Sequence, residues 1–516
     1  MEPGCQKLPL EKIGAFSQLF LDYINQEEAL KPFYNQYPSI GNFKNLIKDK
    51  SFNSQKRENL VSELHNQYAN IENKPNIDIL LEPNTYTVTT GHQLNIFTGP
   101  LYIIFKIITV INLAKKLKEA YPDSNFVPVY WMATEDHDLE EIQVCRAFGQ
   151  KRKWATAQTG AVGRMTTEGL PELAAQLGKG AEFFKEAYQN SEKLGDAVRQ
   201  YMHHLFGEYD LITLDADSRA LKSQFASVMK DDIFNNTAFG LVNERTATID
   251  ALGYKTQISP REINFFYLED SLRERLVKTD AGFDVFNTDI KFSKEEILAI
   301  IENEPEKLSP NVVLRPLYEE WILPNLAYIG GPSEVPYWLQ LKPVFDFYKE
   351  AFPALMPRNF GLLLDERSAQ SLEKLNFGLE DIFKTTDSLK AQYVKRESEK
   401  ELSLQKELES LQTIYADVLK KADEIDITLS RTTKAFETKS VDMLERLEKK
   451  LLRAEKRNYS EALSKIEKLR EHLCPAGGLQ ERKDNMLNFY GEGNDLIEKL
   501  IASFDPLDYQ FNVIEI

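Results

Sequence analysis

Cysteine is scarce in this sequence: Cys5, Cys145 and Cys474 are the three examples among 516 residues. They lie far apart and no pair has the C-x-x-C spacing, which excludes a disulfide framework and a cysteine-rich zinc site. The opening Met-Glu-Pro-Gly lacks the apolar segment of a signal peptide. Both absences are typical of a reducing compartment, so we expect a cytoplasmic protein.

Long hydrophobic runs and an excess of basic residues are also absent. The longest apolar stretch, near 101–113, is interrupted by Lys106 and is too short to span a bilayer. The chain has 63 Lys and Arg against 80 Asp and Glu, a net charge of −17. A negative surface disfavours non-specific binding to nucleic acid or to anionic lipid. We therefore expect neither nucleic acid nor a membrane as partner.

Short apolar runs bounded by turn residues predict β-strands. They lie at 85–90, 127–133, 211–214, 325–329 and 360–364. Between them we expect helices, including one from Pro100 onward and one around 139–147. Strands that alternate with helices favour an α/β fold with a parallel, doubly wound sheet. In such sheets ligands bind beyond the carboxyl ends of the strands, so the polar residues that follow the runs are candidate site residues.

Proline and glycine are absent from 385–473, where Glu, Lys and Leu dominate. Apolar residues there recur at alternating steps of four and three, which predicts a coiled-coil seam. They are Leu404, Leu408, Leu411, Tyr415, Val418, Ala422 and Ile425. The pattern resumes at 444–473, after a stretch at 426–440 that is richer in Thr and Ser. We therefore expect an antiparallel helical hairpin over 385–474, after which 475–516 return to the core.

The first apolar run ends in Thr89-Thr90-Gly91-His92, which fits the T-x-G-H signature of class I nucleotidyltransferases and synthetases. There the glycine lets a nucleotide approach the backbone, and the histidine donates to phosphate oxygens as charge develops. The alternative is a turn with an incidental histidine. We expect Gly91, His92 and Gln93 at the site, with phosphate over the start of the following helix.

The second run ends in Glu135-Asp136-His137-Asp138, which concentrates a base and several acceptors in four residues. Successive side chains diverge, so about two of the four can reach one point. We interpret Asp136 or His137 as a general base, and Glu135 and Asp138 as substrate-binding residues. A metal with His92 as a further ligand is the alternative. No H-x-x-H or H-E-x-x-H spacing supports it, and we expect no metal.

Four basic residues are candidates to hold an anionic substrate: Lys106, Arg261, Arg315 and Arg358. Each of the three arginines flanks a proline, which places it in an ordered, turn-like segment. A guanidinium held rigidly is well suited to binding carboxylate or phosphate through two hydrogen bonds. The alternative for each of them is a structural ion pair.

Five motifs occur in a fixed order along the chain. They are Thr90-Gly91-His92-Gln93 with Phe97-Thr98-Gly99-Pro100-Leu101-Tyr102, Val129-Tyr130-Trp131 with Glu135-Asp136-His137-Asp138, Ser309-Pro310-Asn311-Val312 with Leu314-Arg315-Pro316, Tyr328-Ile329-Gly330-Gly331-Pro332-Ser333-Glu334, and Gly477-Gly478-Leu479-Gln480-Glu481-Arg482. Through these motifs the chain resembles, from end to end, the family of cysteine-adding enzymes of bacillithiol biosynthesis.

The resemblance implies an α/β, Rossmann-like core over 1–384 with inserted connective segments, which we expect near 150–210 and 235–310. It implies an antiparallel coiled coil that pairs two subunits into a homodimer. It also implies a ligase that attaches cysteine to glucosaminyl-malate through an amide bond, with ATP as the candidate activator of cysteine.

Amide formation from a carboxylate needs a leaving group on the acyl carbon, most simply an adenylate, and a deprotonated amine. On this hypothesis Asp136 or His137 takes the proton of the amine, and Arg261 and Arg315 bind the malate carboxylates. Gly330-Gly331 would let a ligand approach the backbone at the topological switch point of the sheet.

Three other functions remain open from the sequence. One is a nucleotidyltransferase that acts on another small molecule, and the second is a coiled-coil interaction protein with a catalytically silent sheet domain. The third is a metal-dependent hydrolase. The cluster at 135–138 and the rigid arginines favour an enzyme over an interaction protein whose sheet domain has no catalytic activity.

Overall fold

The computed structural model describes residues 4–491 and 495–516. Within these residues the chain forms fifteen β-strands. They are β1 (Cys5–Leu8), β2 (Thr85–His92), β3 (Asn125–Met132), β4 (Val144–Ala147), β5 (Gln150–Lys153), β6 (Ile212–Asp215), β7 (Phe265–Glu269), β8 (Leu272–Thr279), β9 (Gly282–Val285), β10 (Lys291–Phe292), β11 (Leu308–Pro310), β12 (Asn325–Gly330), β13 (Ala354–Pro357), β14 (Phe360–Leu364) and β15 (Phe511–Glu515).

The same residues form twenty-one α-helices. They are α1 (Gln18–Ile24), α2 (Ile40–Asp49), α3 (Ser54–Gln67), α4 (Leu101–Ala120), α5 (Leu139–Ile142), α6 (Leu170–Ala175), α7 (Glu182–Gln189), α8 (Leu194–Phe206), α9 (Arg219–Ser223), α10 (Ala226–Asn235), α11 (Thr237–Ala251), α12 (Lys294–Asn303), α13 (Arg315–Ile322), α14 (Glu334–Trp338), α15 (Lys342–Tyr348), α16 (Glu366–Lys374), α17 (Thr386–Glu397), α18 (Gln405–Ile425), α19 (Leu429–Lys456), α20 (Ser460–Leu473) and α21 (Leu496–Ser503).

Two compact units divide the chain. One comprises the residues up to Leu363 together with Gln480–Ile516, and the other is Leu364–Leu479. From the sequence, these boundaries were expected at 384 and 475. Residues 150–210 contain α6–α8, and 235–310 contain the antiparallel sheet β10-β9-β8-β7-β11. The description of these two stretches as insertions stays a prediction.

A five-stranded parallel sheet with the order β13-β12-β2-β3-β6 lies at the centre of the first unit. This confirms the predicted α/β class and the parallel sheet. Strand β2 pairs with β3 on one side and with β12 on the other, so the strand order reverses direction there. The register places Gly91 opposite Trp131 and His92 opposite Met132, so β2 and β3 end level with each other.

Two sequence predictions for this unit are wrong in detail. The run at 360–364 is β14, which lies in a separate sheet with β1 and β15, and β13 takes the edge of the parallel sheet instead. The helix expected over 139–147 ends at Ile142, and Val144–Ala147 pairs with β5. The second error concerns a short segment, in which periodicity does not separate strand from helix. The first concerns pairing between segments that are distant in sequence, which a local apolar run does not specify.

Helix α4 follows β2 and is buried along most of its length. Its apolar residues contribute to two hydrophobic clusters, with Ile104 and Ile108 in one and Val110 and Leu113 in the other. Lys106 lies among them at 1% exposure. A buried ammonium group is costly unless it is paired with an acceptor or an opposite charge, so Lys106 needs such a partner inside the protein.

The second unit contains the predicted helical hairpin. Helices α18 and α19 run antiparallel, and the Tyr415 hydroxyl lies 2.8 Å from Ser440 Oγ across the pair. The chain reverses directly after Ile425, where the Asp426 carboxylate accepts a hydrogen bond from the Thr428 amide at 2.8 Å. Among the described helices of the whole chain, none has the length and apolarity needed to cross a membrane.

Candidate active site

A cavity of about 180 Å³ lies at the carboxyl ends of β2, β3 and β12. Its lining residues are Gly91, His92, Gln93, Trp131, Ala133, Asp136, Arg315, Pro316, Glu319, Tyr328, Glu334, Tyr337 and Trp338. The crevice between β2 and β12 is the point at which the strand order reverses, where open α/β sheets bind their ligands. The structure therefore brings together residues of four of the five motifs.

Asp136 lies on the turn after β3 and faces this cavity. Gln93 Nε2 donates to its Oδ2 at 3.1 Å, and the His137 amide donates to its Oδ1 at 2.8 Å. Burial raises the pKa of Asp136, but the nearby Arg273 and Arg315 lower it, and the net shift is downward. The carboxylate is therefore ionised near neutral pH and can accept a proton or a hydrogen bond.

His137 is half-exposed and does not line the cavity. Its Nδ1 lies 2.8 Å from Arg273 Nη1, and because a guanidinium only donates, this nitrogen is the acceptor. Burial and Arg273 both lower the pKa of His137. Arg273, which the sequence did not single out, is itself fixed by stacking 4.0 Å over the Phe266 ring and by donating to Ser309.

Glu135 and Asp138 lie away from the cavity. Glu135 belongs to what we call the buried ion network, which consists of Glu135, Lys222, Asp217 and Arg164. Lys222 Nζ contacts Glu135 at 2.6 Å and Asp217 at 2.8 Å, and Arg164 binds Asp217 through two hydrogen bonds. Asp138 is exposed and caps the start of α5. The structure thus gives both residues structural roles in place of the expected substrate contacts.

His92 ends β2 and lines the cavity, where its Nε2 lies 3.1 Å from the Tyr102 hydroxyl. Burial and the neighbouring Lys106 lower the pKa of His92 to about 3. The imidazole is therefore neutral at physiological pH. A neutral imidazole can still donate one hydrogen bond to a ligand, so the donation to phosphate that the T-x-G-H interpretation expects stays a prediction.

The start of α4 is occupied by the carboxyl-terminal segment of the chain. The Leu101 amide donates to Asp484 O at 2.9 Å, and Asn485 Nδ2 donates to Phe97 O and Gly99 O at 2.6 Å. An N–H group that already has a protein acceptor is not available to an anion. The expected phosphate position over this helix therefore does not fit the structure.

Lys106, which we expected to bind substrate, already has two acceptors within the protein and does not line the cavity. Its Nζ contacts Glu334 at 2.7 Å and Gly91 O at 2.8 Å. Glu334, the first residue of α14, also accepts a hydrogen bond from Tyr328 at 2.7 Å. Burial raises the pKa of Glu334, yet Lys106 and Tyr328 lower it, and the net shift is downward.

Gly330 and Gly331 lie at the end of β12, under the start of α14. A Cβ atom added at Gly330 would lie 3.2 Å from Glu334 Cβ, and one at Gly331 would lie 3.0 Å from Glu334 Oε1. The close approach of strand and helix therefore accounts for glycine at both positions, and no contact with a ligand is needed to account for it. Gly91, in contrast, lines the cavity as expected.

The predicted cations separate into different environments. Arg315 lines the cavity, where Tyr337 and Asp136 raise its pKa against the lowering effect of burial. Arg261 is exposed and outside the lining. Arg358 is buried and bound by Glu481 through two contacts of 2.5 and 3.1 Å. Of the four candidates, Arg315 is therefore the one that lines the cavity.

Sequence reasoning missed Glu319 and the aromatic wall of Tyr337 and Trp338. Glu319 follows Arg315 by one helical turn, a spacing that could have indicated a shared face. Over residues 4–491 and 495–516, no three His, Cys, Asp or Glu side chains are placed to hold a metal ion.

Two family models match nearly the whole chain. "Bacillithiol biosynthesis BshC, N-terminal Rossmann-like domain" matches residues 4–359, and "Bacillithiol biosynthesis BshC, C-terminal coiled-coil domain" matches 361–516. The protein named "Putative cysteine ligase BshC" of Flavobacterium psychrophilum is 43% identical over 523 residues, which cover 98% of each chain. Its namesake in Cytophaga hutchinsonii is 39% identical over 512 residues, again 98% of each chain. This chain therefore belongs to the BshC family of bacillithiol biosynthesis.

Proposed function

We propose that the protein is a cysteine ligase, which forms an amide bond between the carboxyl group of cysteine and the amine of glucosaminyl-malate. The observation that carries the proposal is the cavity itself. Arg315 and Asp136 place a cation and an ionised carboxylate at its wall, at the crevice where α/β sheets bind ligands. Membership of the BshC family supports the choice of reaction.

Asp136 is the better candidate for the group that accepts the proton of the attacking amine. It lines the cavity, and Gln93 fixes one of its oxygens. His137 uses Nδ1 to accept from Arg273, so a neutral ring carries its proton on Nε2 and has no free basic nitrogen. A positioned base typically contributes a factor of about 10²–10⁴ to the rate.

A carboxylate reacts with an amine only after it has gained a leaving group, and we propose ATP as the source of that activation. The start of α4 does not fit a phosphate, since Asp484 accepts from its first N–H group. We therefore assign no phosphate-binding residue there and propose roles only for the groups that line the cavity.

The test is an assay of purified protein with cysteine and glucosaminyl-malate, with and without ATP, in which mass spectrometry detects the ligated thiol. Asp136→Asn should lower the rate by about 10²–10⁴-fold. Asp138→Asn, two residues away and exposed, is the matched control and should keep the wild-type rate. Absence of product from the wild-type protein under all conditions would overturn the proposed function, and a fully active Asp136→Asn variant would remove the role of this residue.

We also propose that two copies pair through the coiled coil. Seam residues of α18 and α19 stay exposed in the single chain, with Val418 at 43% and Leu447 at 46%. An exposed apolar seam on a heptad pattern is suited to a partner helix. Light scattering should give a dimer for the full chain and a shift toward monomer for Leu447→Lys. Glu445→Gln, with the same change in charge, should stay dimeric, and a monomeric wild-type chain would contradict the proposal.

The cytoplasm is the proposed compartment, because Cys145 and Cys474 are buried and form no disulfide within the described residues and because the substrate is a reduced thiol. In a strain that lacks the protein, we expect glucosaminyl-malate to accumulate and the thiol product to disappear. An unchanged thiol pool would contradict this role in the cell.

A further inference from the structure

Helix α13 presents one basic and one acidic side chain to the cavity. Arg315 and Glu319 both line it, and they lie four residues apart on the same helix. Side chains at this spacing share one face of a helix. The cavity therefore offers a guanidinium and a carboxyl group one helical turn apart.

Glu319 is 3% exposed, and within the described residues its Oε1 atom has no hydrogen-bond partner. The next residue, Glu320, is equally buried but receives hydrogen bonds from Asn325 at 2.6 Å and Lys50 at 3.0 Å. A buried polar atom without a partner costs free energy, so an acceptor that lines a cavity in this state is suited to a donor from a ligand.

The rest of the wall indicates the size and character of that ligand. The cavity volume of about 180 Å³ lies below the ~300–1,000 Å³ of pockets that hold drug-sized molecules. It suits a single amino acid better than a sugar–malate conjugate. The Trp338 indole stacks on Tyr328 at 4.4 Å between ring centroids, and its buried Nε1 also lacks a hydrogen-bond partner in the part of the chain described. Aromatic faces of this kind favour contact with sulfur.

We infer that this cavity is the cysteine subsite, and that it binds cysteine as a zwitterion with Arg315 on the carboxylate and Glu319 on the α-ammonium group. The inference rests on the proposed function and makes it more specific, because Arg315 then recognises cysteine rather than malate. Held by a carboxylate, the α-amine of cysteine stays protonated and cannot attack a second activated cysteine. The amine of glucosaminyl-malate is then the one that reacts with the activated cysteine.

If cysteine binds in this way, the protein should release protons on binding, and the number released can be measured. Burial and the adjacent Glu320 raise the pKa of Glu319 well above its usual range, so the carboxyl group holds a proton in the empty cavity. When the ammonium group of cysteine arrives, the carboxyl proton leaves to solvent and a charge pair forms. Cysteine binding should therefore release up to one proton near neutral pH.

The experiment is calorimetric titration of the full-length wild-type protein, with and without ATP, using three ligands. L-Cysteine carries both charges, 3-mercaptopropionate lacks the amine, and cysteamine lacks the carboxylate. We expect cysteine to bind at least roughly tenfold more tightly than either analogue, since hydrogen bonds between charged groups have about this effect. Titration in buffers of different ionisation enthalpy should show proton release with cysteine and none with 3-mercaptopropionate.

Glu319→Gln should bring the affinity for cysteine down to that for 3-mercaptopropionate and abolish the proton release. Glu302→Gln, on the exposed surface of α12, is the matched control and should behave as wild type. The inference is overturned if the wild-type protein binds cysteine and 3-mercaptopropionate equally, or if Glu319→Gln keeps both the affinity and the proton release. Because the ligand series uses the wild-type chain, it decides the question even if the variant does not fold. Formation of product together with equal binding of the analogues would overturn this subsite while leaving the proposed function intact.

Discussion

Two clusters of charged side chains lie beyond the carboxyl ends of one parallel sheet, and they differ in how their charges are paired. The buried ion network after β3 and β6 surrounds Lys222 with Glu135 and Asp217. In the cavity after β2, β3 and β12, Glu319 Oε1 receives no hydrogen bond from any residue that the structure describes. Glu135 and Asp136 are neighbours in sequence, yet each belongs to a different cluster. Cavity residue Glu334 is paired with Lys106, as Glu135 is with Lys222, so the unpaired Oε1 among the described residues distinguishes Glu319 in particular.

The largest expected effect comes from breaking the buried ion network. Lys222 is fully buried, and its replacement in Lys222→Met leaves Glu135 and Asp217 without their shared cation. Removal of one partner of a buried pair typically costs about 3–5 kcal/mol. Denaturant unfolding should register a loss of this size at pH 7. A variant as stable as wild type would contradict a structural role for this cluster.

A smaller effect should distinguish two adjacent glutamates of α13. Glu320→Gln weakens the pairing with Lys50 and should lower the free energy of unfolding by about 1–3 kcal/mol. Glu319→Gln removes no hydrogen bond of Oε1 and should leave stability within about 0.5 kcal/mol. Equal losses in the two variants, measured by denaturant unfolding, would remove the distinction between a paired and an unpaired carboxyl group.

The smallest effect depends on pH and concerns His92. Its pKa in the folded protein is about 3, below the ~6.5 of an unfolded chain. The unfolded state therefore binds more protons, and stability is lost as the pH falls below about 6.5. His92→Gln removes this loss. The variant should match wild type in its pH dependence near pH 7.5 and gain up to about 2 kcal/mol relative to it at pH 5. If the free energy of unfolding changed with pH in the same way for both proteins between pH 7.5 and pH 5, the lowered pKa of His92 would be contradicted.

Much of the site could be predicted from the sequence, because strand ends are local features. The runs that end in His92 and Glu135 do form neighbouring parallel strands, and Gln93 and Asp136, both candidates from the sequence, form a hydrogen bond across them. Glu319 and Arg273 could not be found in this way. Glu319 lies on a helix that precedes β12, and Arg273 comes from β8 of another sheet, so their position at the site depends on contacts between distant segments.

The carboxyl-terminal segment had an effect that no local pattern could indicate. Asp484 and Asn485 bind the start of α4, although they lie far from it in sequence. They take the place at which the T-x-G-H interpretation expected phosphate. A motif specifies its own backbone turn, but it does not specify what else packs against that turn.

The sequence alone determined the α/β class, the helical hairpin and the family, because these depend on periodicity and on long ordered motifs. Tertiary structure alone decided which charges are available for chemistry. Lys106, Glu135 and Arg358 find buried partners, whereas Asp136, Arg315 and Glu319 face a cavity. The physical reason is that a buried charge is stable only with a partner, and which partner it meets is set by folding rather than by sequence proximity.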